Sequence, residues 1–209
     1  MRTAGIISEY NPFHRGHAWQ LGELRRRLGA ETAVVCAMSG SFVQRGEPAI
    51  FDKYRRTKAA LLAGADLVLE MPVAFSTASA HEFAAYGVAL LSAIGVDAVV
   101  FGSECGQIEF LKQAASALNH ESAEFQERLR KGLKAGLTYP QARAKALEME
   151  DTWASVLTSP NNILGIEYLR AAEDLHSPME FIRFRGREAD IMKIHWQMLT
   201  FHRLRQFAG

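Results

Sequence analysis

The chain has 209 residues, 48% of them apolar and 22% charged, with a formal net charge of +1. That balance excludes a disordered chain, gives no global charge argument for a nucleic-acid partner, and suits one α/β domain with a small appendage. Cys36 and Cys105 form no paired framework, no apolar run reaches membrane length, and the N-terminus turns polar at Ser8-Glu9; the expectation is a cytoplasmic protein in a reducing compartment with no membrane partner.

Short β-like runs alternate with longer helical patterns, which predicts a parallel sheet with crossover helices. In chain order the strands fall at about 3–8, 32–38, 66–70 and 97–101. A turn through Asn11, Pro12 and Phe13 leads from the first strand into a helix over 16–28. A polar loop over 39–48 precedes a helix at 52–63, with Asp52 as its expected N-cap. Glu70-Met71-Pro72 reads as punctuation after the third strand, and 78–93 is helical. After the fourth strand ends in Gly102-Ser103-Glu104, the pattern is helical at 109–118, 121–135, 140–149 and 161–175. The expected fold is α/β: a Rossmann-like, doubly wound parallel sheet over 1–106 with an α-helical extension over 107–180. Strands are expected to end at residue 101. The remaining 181–209 are basic, with Trp196 and scattered apolar residues in no clear period.

Ligands of open α/β sheets bind beyond the carboxyl ends of the strands. There the first turn carries Asn11-Pro12-Phe13-His14-Arg15-Gly16-His17. Pro12 stiffens it, Gly16 lets backbone approach a bulky anion, and the following helix turns its free N–H groups towards that anion. His14 and His17, three residues apart, lie on one side of the first helical turn. They suit hydrogen bonds to phosphate and stabilisation of the charge on leaving pyrophosphate, chemistry that needs position and electrostatics but no nucleophile. A lone His-x-x-His also fits packing histidines or a chance metal pair; the setting between strand and helix favours nucleotide binding, and no third zinc ligand lies nearby. Gln44 and Arg45, in the loop after the second strand, suit contacts to a phosphate or a carboxylate, with a solvated loop as the alternative. Gly102 stands where a close approach of adenine or ribose would need a missing side chain. Asn162 suits either a helix cap or a ligand contact.

The His-x-Gly-His element resembles the first signature of the nucleotidylyl-transferase superfamily, whose sheet is of the HUP type. A longer likeness is to the tRNA(Met) cytidine acetate ligase family. It is carried by Gly-Ile-Ile-Ser-Glu-Tyr-Asn-Pro-Phe-His-Arg-Gly-His at 5–17 and Met-Ser-Gly-Ser-Phe-Val-Gln-Arg-Gly-Glu-Pro-Ala-Ile-Phe-Asp-Lys at 38–53. Ala-Gly-Ala-Asp-Leu-Val-Leu-Glu-Met-Pro at 63–72, Phe-Gly-Ser-Glu at 101–104 and Ser-Pro-Asn-Asn-Ile-Leu-Gly-Ile-Glu-Tyr at 159–168 continue it in the same order. The resemblance implies an enzyme that activates acetate with ATP as acetyl-adenylate and acetylates N4 of the wobble cytidine in elongator tRNA(Met). It implies an ATP-binding segment formed by Ile7, Ser8, Glu9, Tyr10, Asn11, Pro12, Phe13, His14, Arg15, Gly16, His17, Ala18, Trp19 and Gln20, with Gly102 and Asn162 as further contacts. His14 and His17 are the expected catalytic pair. Mg²⁺ is expected with ATP, held mostly by phosphates and water, since no carboxylate cage is evident.

Two family signatures are absent from the sequence: an Arg-x-Gly-x-Gly-x-His and a second phosphate-binding Ala-Ser-Ala-x-Ala-Ile-Arg. Back-translated from about residue 181 and read two bases later with suitable synonymous codons, the tail gives Tyr-Thr-Val-Pro-Arg-Ala-Gly-Gly-Gly-His-His-Glu-Asp and then Phe-Ser-Ser-Ala-Ser-Ala-Ile-Arg. Residues 181–209 are therefore expected to be a frameshifted tail, and Arg183, Arg185 and Arg187 receive no family role. Activity is expected to be impaired. The alternatives are a small-molecule adenylyltransferase and an inactive nucleotide-binding fragment.

Overall fold

Thr3–Ser8 forms β1, the central strand, and its side chains alternate between the two faces of the sheet. The computed structural model describes residues 1–105, 107–147, 157 and 159–185. After β1 come α1 (Arg15–Leu28), β2 (Ala33–Ser39), a short 3₁₀ turn at Gln44–Gly46, α2 (Lys53–Leu62), β3 (Leu67–Met71), α3 (Val73–Ser76), α4 (Ala80–Ala93) and β4 (Ala98–Ser103). The extension supplies α5 (Ile108–Asn119), α6 (Ala123–Lys134), α7 (Tyr139–Ala146) and α8 (Pro160–Asp174), before β5 (Glu180–Arg185). The sheet order is β3-β2-β1-β4-β5 and every pairing is parallel.

The pleat explains why apolar runs fill these strands: both faces are covered. Ala4, Ile6, Val34, Cys36 and Met38 face Leu21 and Leu24 of α1 and Ala60 of α2. Val35, Ala37, Val99 and Phe101 face Phe83, Val88 and Leu91 of α4, with α5 and α8 behind them. Gly5 brings α4 onto β1, since a Cβ there would lie 2.6 Å from Leu91. Caps fix the helix starts: the Asp52 carboxylate accepts the Arg55 N–H at 2.9 Å, as expected, and Ser79 and Glu82 form a reciprocal capping box on α4. Arg25, Arg26 and Arg27 in the last turn of α1 complement its dipole.

The expected doubly wound parallel sheet is present, with its first four strands within two residues of their expected bounds. The expectation that strands end at residue 101 is corrected by β5, which pairs with β4 from Ala98↔Glu180 to Ser103↔Arg185. Its Glu-Phe-Ile-Arg-Phe-Arg sequence carries charge, as suits the edge strand it forms among the described residues. The first residues expected in the tail, 181–185, thus belong to this strand, while 186–209 lie outside the described residues, as do 148–149 of the expected 140–149 helix.

Candidate functional site

Chain order reverses between β1 and β4, the two strands that diverge to opposite halves of the sheet. Beyond their carboxyl ends lies a cleft of about 360 Å³. One wall is Ser8, the loop Glu9 to Pro12, and His14, His17 and Gln20 of α1. Gly102 at the end of β4 and Gln44 line it too, and Phe83, Phe101, Leu164 and Tyr168 form an apolar wall. A cleft at such a switch point, half polar and half apolar, suits a nucleotide with its base and its phosphates at different ends.

The turn that builds the polar wall is tightly constrained. Tyr10 has a φ of 48°, unusual for a bulky residue, and is held there by burial of its ring. That ring packs edge-on to Phe13 at 4.9 Å and lies 4.8 Å from His17, while its hydroxyl meets the Cys36 thiol at 3.3 Å. Burial pushes the Cys36 thiol up to about 11 and the Tyr10 hydroxyl well above its ordinary value, so both stay protonated.

His14 is the N-cap of α1, with extended backbone, and His17 lies in the first turn. The two imidazoles stack, with centroids 3.6 Å apart and planes 17° from parallel. His17 Nδ1 accepts the backbone N–H of His14 at 3.3 Å. Burial, and then the neighbouring His14, lower the His17 pKa to about 3. A neutral imidazole that accepts through Nδ1 carries its proton on Nε2, which makes His17 a donor. The positive end of the α1 dipole lies beside that donor.

The loop after β2 is strapped onto this turn. The Glu9 carboxylate accepts the Gln44 N–H at 2.6 Å, and the Asn11 side-chain oxygen accepts the Ile50 N–H at 2.7 Å. Beneath both loops lies Arg56 of α2, 1% exposed. Its guanidinium donates to the carbonyls of Phe51 (3.0 Å), Glu9 (2.6 Å), Ser39 (3.0 Å) and Gly40. Nothing in the helical pattern of 52–63 distinguishes this arginine from a solvated one.

The model for the HIGH nucleotidyl transferase family matches residues 1–197. The chain belongs to that family. Among its curated relatives are the tRNA(Met) cytidine acetate ligases of Caldicellulosiruptor bescii and Acetivibrio thermocellus, each 47% identical, over 86% and 85% of this chain and 44% of each relative. The crystal structure of Thermotoga maritima TmcAL bound with alpha-thio ATP superposes with a TM-score of 0.82 at 40% identity, over 88% of this chain and 46% of that one. The apo form of the same protein gives 0.83 over 88% and 45%. The chain thus spans less than half the length of the relatives it matches.

Within this family member the expected site residues separate into two groups. Ile7, Ser8, Glu9, Tyr10, Asn11, Pro12, His14, His17, Gln20, Gln44 and Gly102 all line the cleft. Phe13 supports it by packing on Tyr10 and His17. Arg15 is exposed, Gly16 and Ala18 are half-buried, and Trp19 packs its ring against Phe184 at 5.9 Å, away from the lining. Arg45 lies in the 3₁₀ turn, with its side chain outside the described residues. Asn162 is 1% exposed; its side-chain oxygen accepts the Ser103 hydroxyl at 2.7 Å and the Cys105 N–H at 3.0 Å. It latches the segment after β4, and its neighbour Asn161 reaches the cleft wall. The apolar wall was not singled out, although Leu164 and Tyr168 fall inside the 159–168 segment that carries the resemblance. Among the described residues no three His, Cys, Asp or Glu side chains converge to hold a metal ion, and no helix is long and apolar enough to cross a membrane.

A larger cavity, about 450 Å³, lies between α4, α7 and α8. Its polar centre is Glu167, which accepts from Arg143 and Arg170 at 2.8 Å each and meets His81 Nδ1 at 3.0 Å. Burial alone would raise the Glu167 carboxyl; Arg143 and Arg170 outweigh it and hold the group below its ordinary value. These charges satisfy one another, and the cluster joins α4, α7 and α8.

Proposed function

We propose that the cleft binds ATP, with the phosphates against Asn11–His17 and the base towards Gly102 and the apolar wall. The observation that carries this reading is the His14–His17 pair at the N-terminus of α1, with His17 neutral, its Nδ1 engaged and its proton therefore on Nε2. The alpha-thio ATP of the Thermotoga maritima relative supports it. The names of the curated relatives support acetate and a cytidine of tRNA(Met) as the substrates; the attack of acetate on the α-phosphorus and the wobble cytidine of elongator tRNA(Met) as acceptor are part of the proposal. In the first step a carboxylate oxygen bonds to the α-phosphorus and the bond to pyrophosphate breaks, leaving acetyl-adenylate. In the second, N4 of cytidine attacks the acetyl carbon, AMP leaves, and the amine loses a proton. His14, His17 and the helix N-terminus stabilise charge as pyrophosphate departs. Among the described residues the lining offers no carboxylate cage, so Mg²⁺ would travel with the ATP phosphates and water.

Acetate-dependent pyrophosphate release from ATP tests the reading, and His17→Ala should abolish it. Release without acetate but with another nucleotide-like acceptor would favour a small-molecule adenylyltransferase. ATP binding with no release would favour a nucleotide-binding fragment. For the segment beyond β5, from about 186, we propose a shifted reading frame; sequencing the gene past that codon supports it if an intact frame continues, and refutes it if none does.

A further inference from the structure

We propose that Arg56 is a positioning residue for the phosphate turn: its buried guanidinium locks the loop after β1 to the loop after β2, and so sets the cleft that the anion enters. This rests on the reading of that cleft as a phosphate site. Carbonyls at the carboxyl end of a strand are orphaned where pairing stops, and left alone they would line the cleft with negative dipoles. Arg56 gathers those of Glu9, just after β1, and of Ser39 and Gly40, at and just after the end of β2, together with Phe51 from its own helix entry. Its grip on the Glu9 carbonyl fixes the peptide that leads directly into Tyr10, the residue with positive φ whose ring supports His17. From the same residue the Glu9 carboxylate reaches out to the Gln44 N–H, and two residues on Asn11 holds the Ile50 N–H. One cation therefore satisfies carbonyls from both loops beneath the turn that opens α1. Arginine is the side chain for this, because its planar fork donates in several fixed directions and keeps its charge when buried; a lysine ammonium spans neither loop pair at once.

The test compares wild type with Arg56→Lys and Arg56→Met, following amide exchange at Gln44 and Ile50, amide exchange in the central strands β1 and β2, and ATP affinity by calorimetry. The expected result is exchange at Gln44 and Ile50 faster by about tenfold or more in both variants, strand protection retained, and ATP bound about tenfold more weakly, as loss of hydrogen bonds to a charged group implies. Unchanged exchange and affinity in a folded variant would overturn the proposal. An equal loss of protection across strands and loops would overturn it too, by showing a general structural role. If wild type itself fails to bind ATP, the phosphate reading falls, while the exchange arm still decides whether Arg56 couples the loops. If both variants fail to fold, ATP added to wild type should slow exchange at Gln44 and Ile50; no slowing in a protein that binds ATP would sink the coupling.

Discussion

His17 accepts the amide hydrogen of His14 through Nδ1 at 3.3 Å while its ring stacks on the His14 ring at 3.6 Å. The first contact fixes a tautomer, while burial first and the neighbouring His14 second hold the His17 ring neutral. His17 is therefore set as a neutral Nε2–H donor, and on the proposed reading it would need no reorganisation as charge develops.

That arrangement has a pH signature. A folded-state pKa of about 3, against an ordinary value of 6.5, means the unfolded chain takes up the His17 proton first as pH falls. The stability gained by keeping His17 neutral is complete above about pH 6.5 and is lost progressively from there towards pH 3. Nitrogen-detected NMR of the apo protein should show the Nε2–H tautomer with no titration between pH 8 and 5. A His17 midpoint near 6.5 would contradict the geometry.

Gly102 separates fold from function. A Cβ at this position meets nothing within 4 Å, yet the residue lines the cleft. Gly102→Val should therefore leave chemical stability within about 1 kcal/mol of wild type and weaken ATP binding by about tenfold or more, the cost of a misfitted contact. Full ATP affinity in this variant would place the nucleotide elsewhere.

Glu167 offers the opposite case, a buried charge with no proposed part in chemistry. Glu167→Gln leaves Arg143 and Arg170 facing each other without their carboxylate, and should cost about 3 kcal/mol or more in urea unfolding. The held-down carboxyl also predicts a sign: its contribution is present above the unfolded pKa and is lost as pH falls through the folded one. Equal stability of variant and wild type at pH 7 would show the cluster to be dispensable.

The sheet core and the polar wall of the cleft were legible because they are local in sequence. Alternating short apolar runs define β1 to β4, and Asn11 to His17 occupies one turn between a strand and a helix. What stayed hidden is non-local. Arg56 looks like any helical arginine until folding brings four carbonyls from separate segments around it. Asn162 suited a cap or a ligand contact, and only the position of Ser103 and Cys105 turns its oxygen inward. β5 escaped notice because Arg183 and Arg185 interrupt its apolar residues, a pattern that a sheet edge permits and a central strand does not.

The central claim is that the β1–α1 turn holds ATP phosphates. Equilibrium titration of ATP into wild type and His17→Ala, each with its thermal midpoint measured, tests this most directly. The account predicts saturable binding to wild type and affinity reduced by about tenfold or more in a folded His17→Ala, as expected for loss of a hydrogen bond to a charged group. Equal affinity in the two proteins, or no binding to wild type, would contradict it.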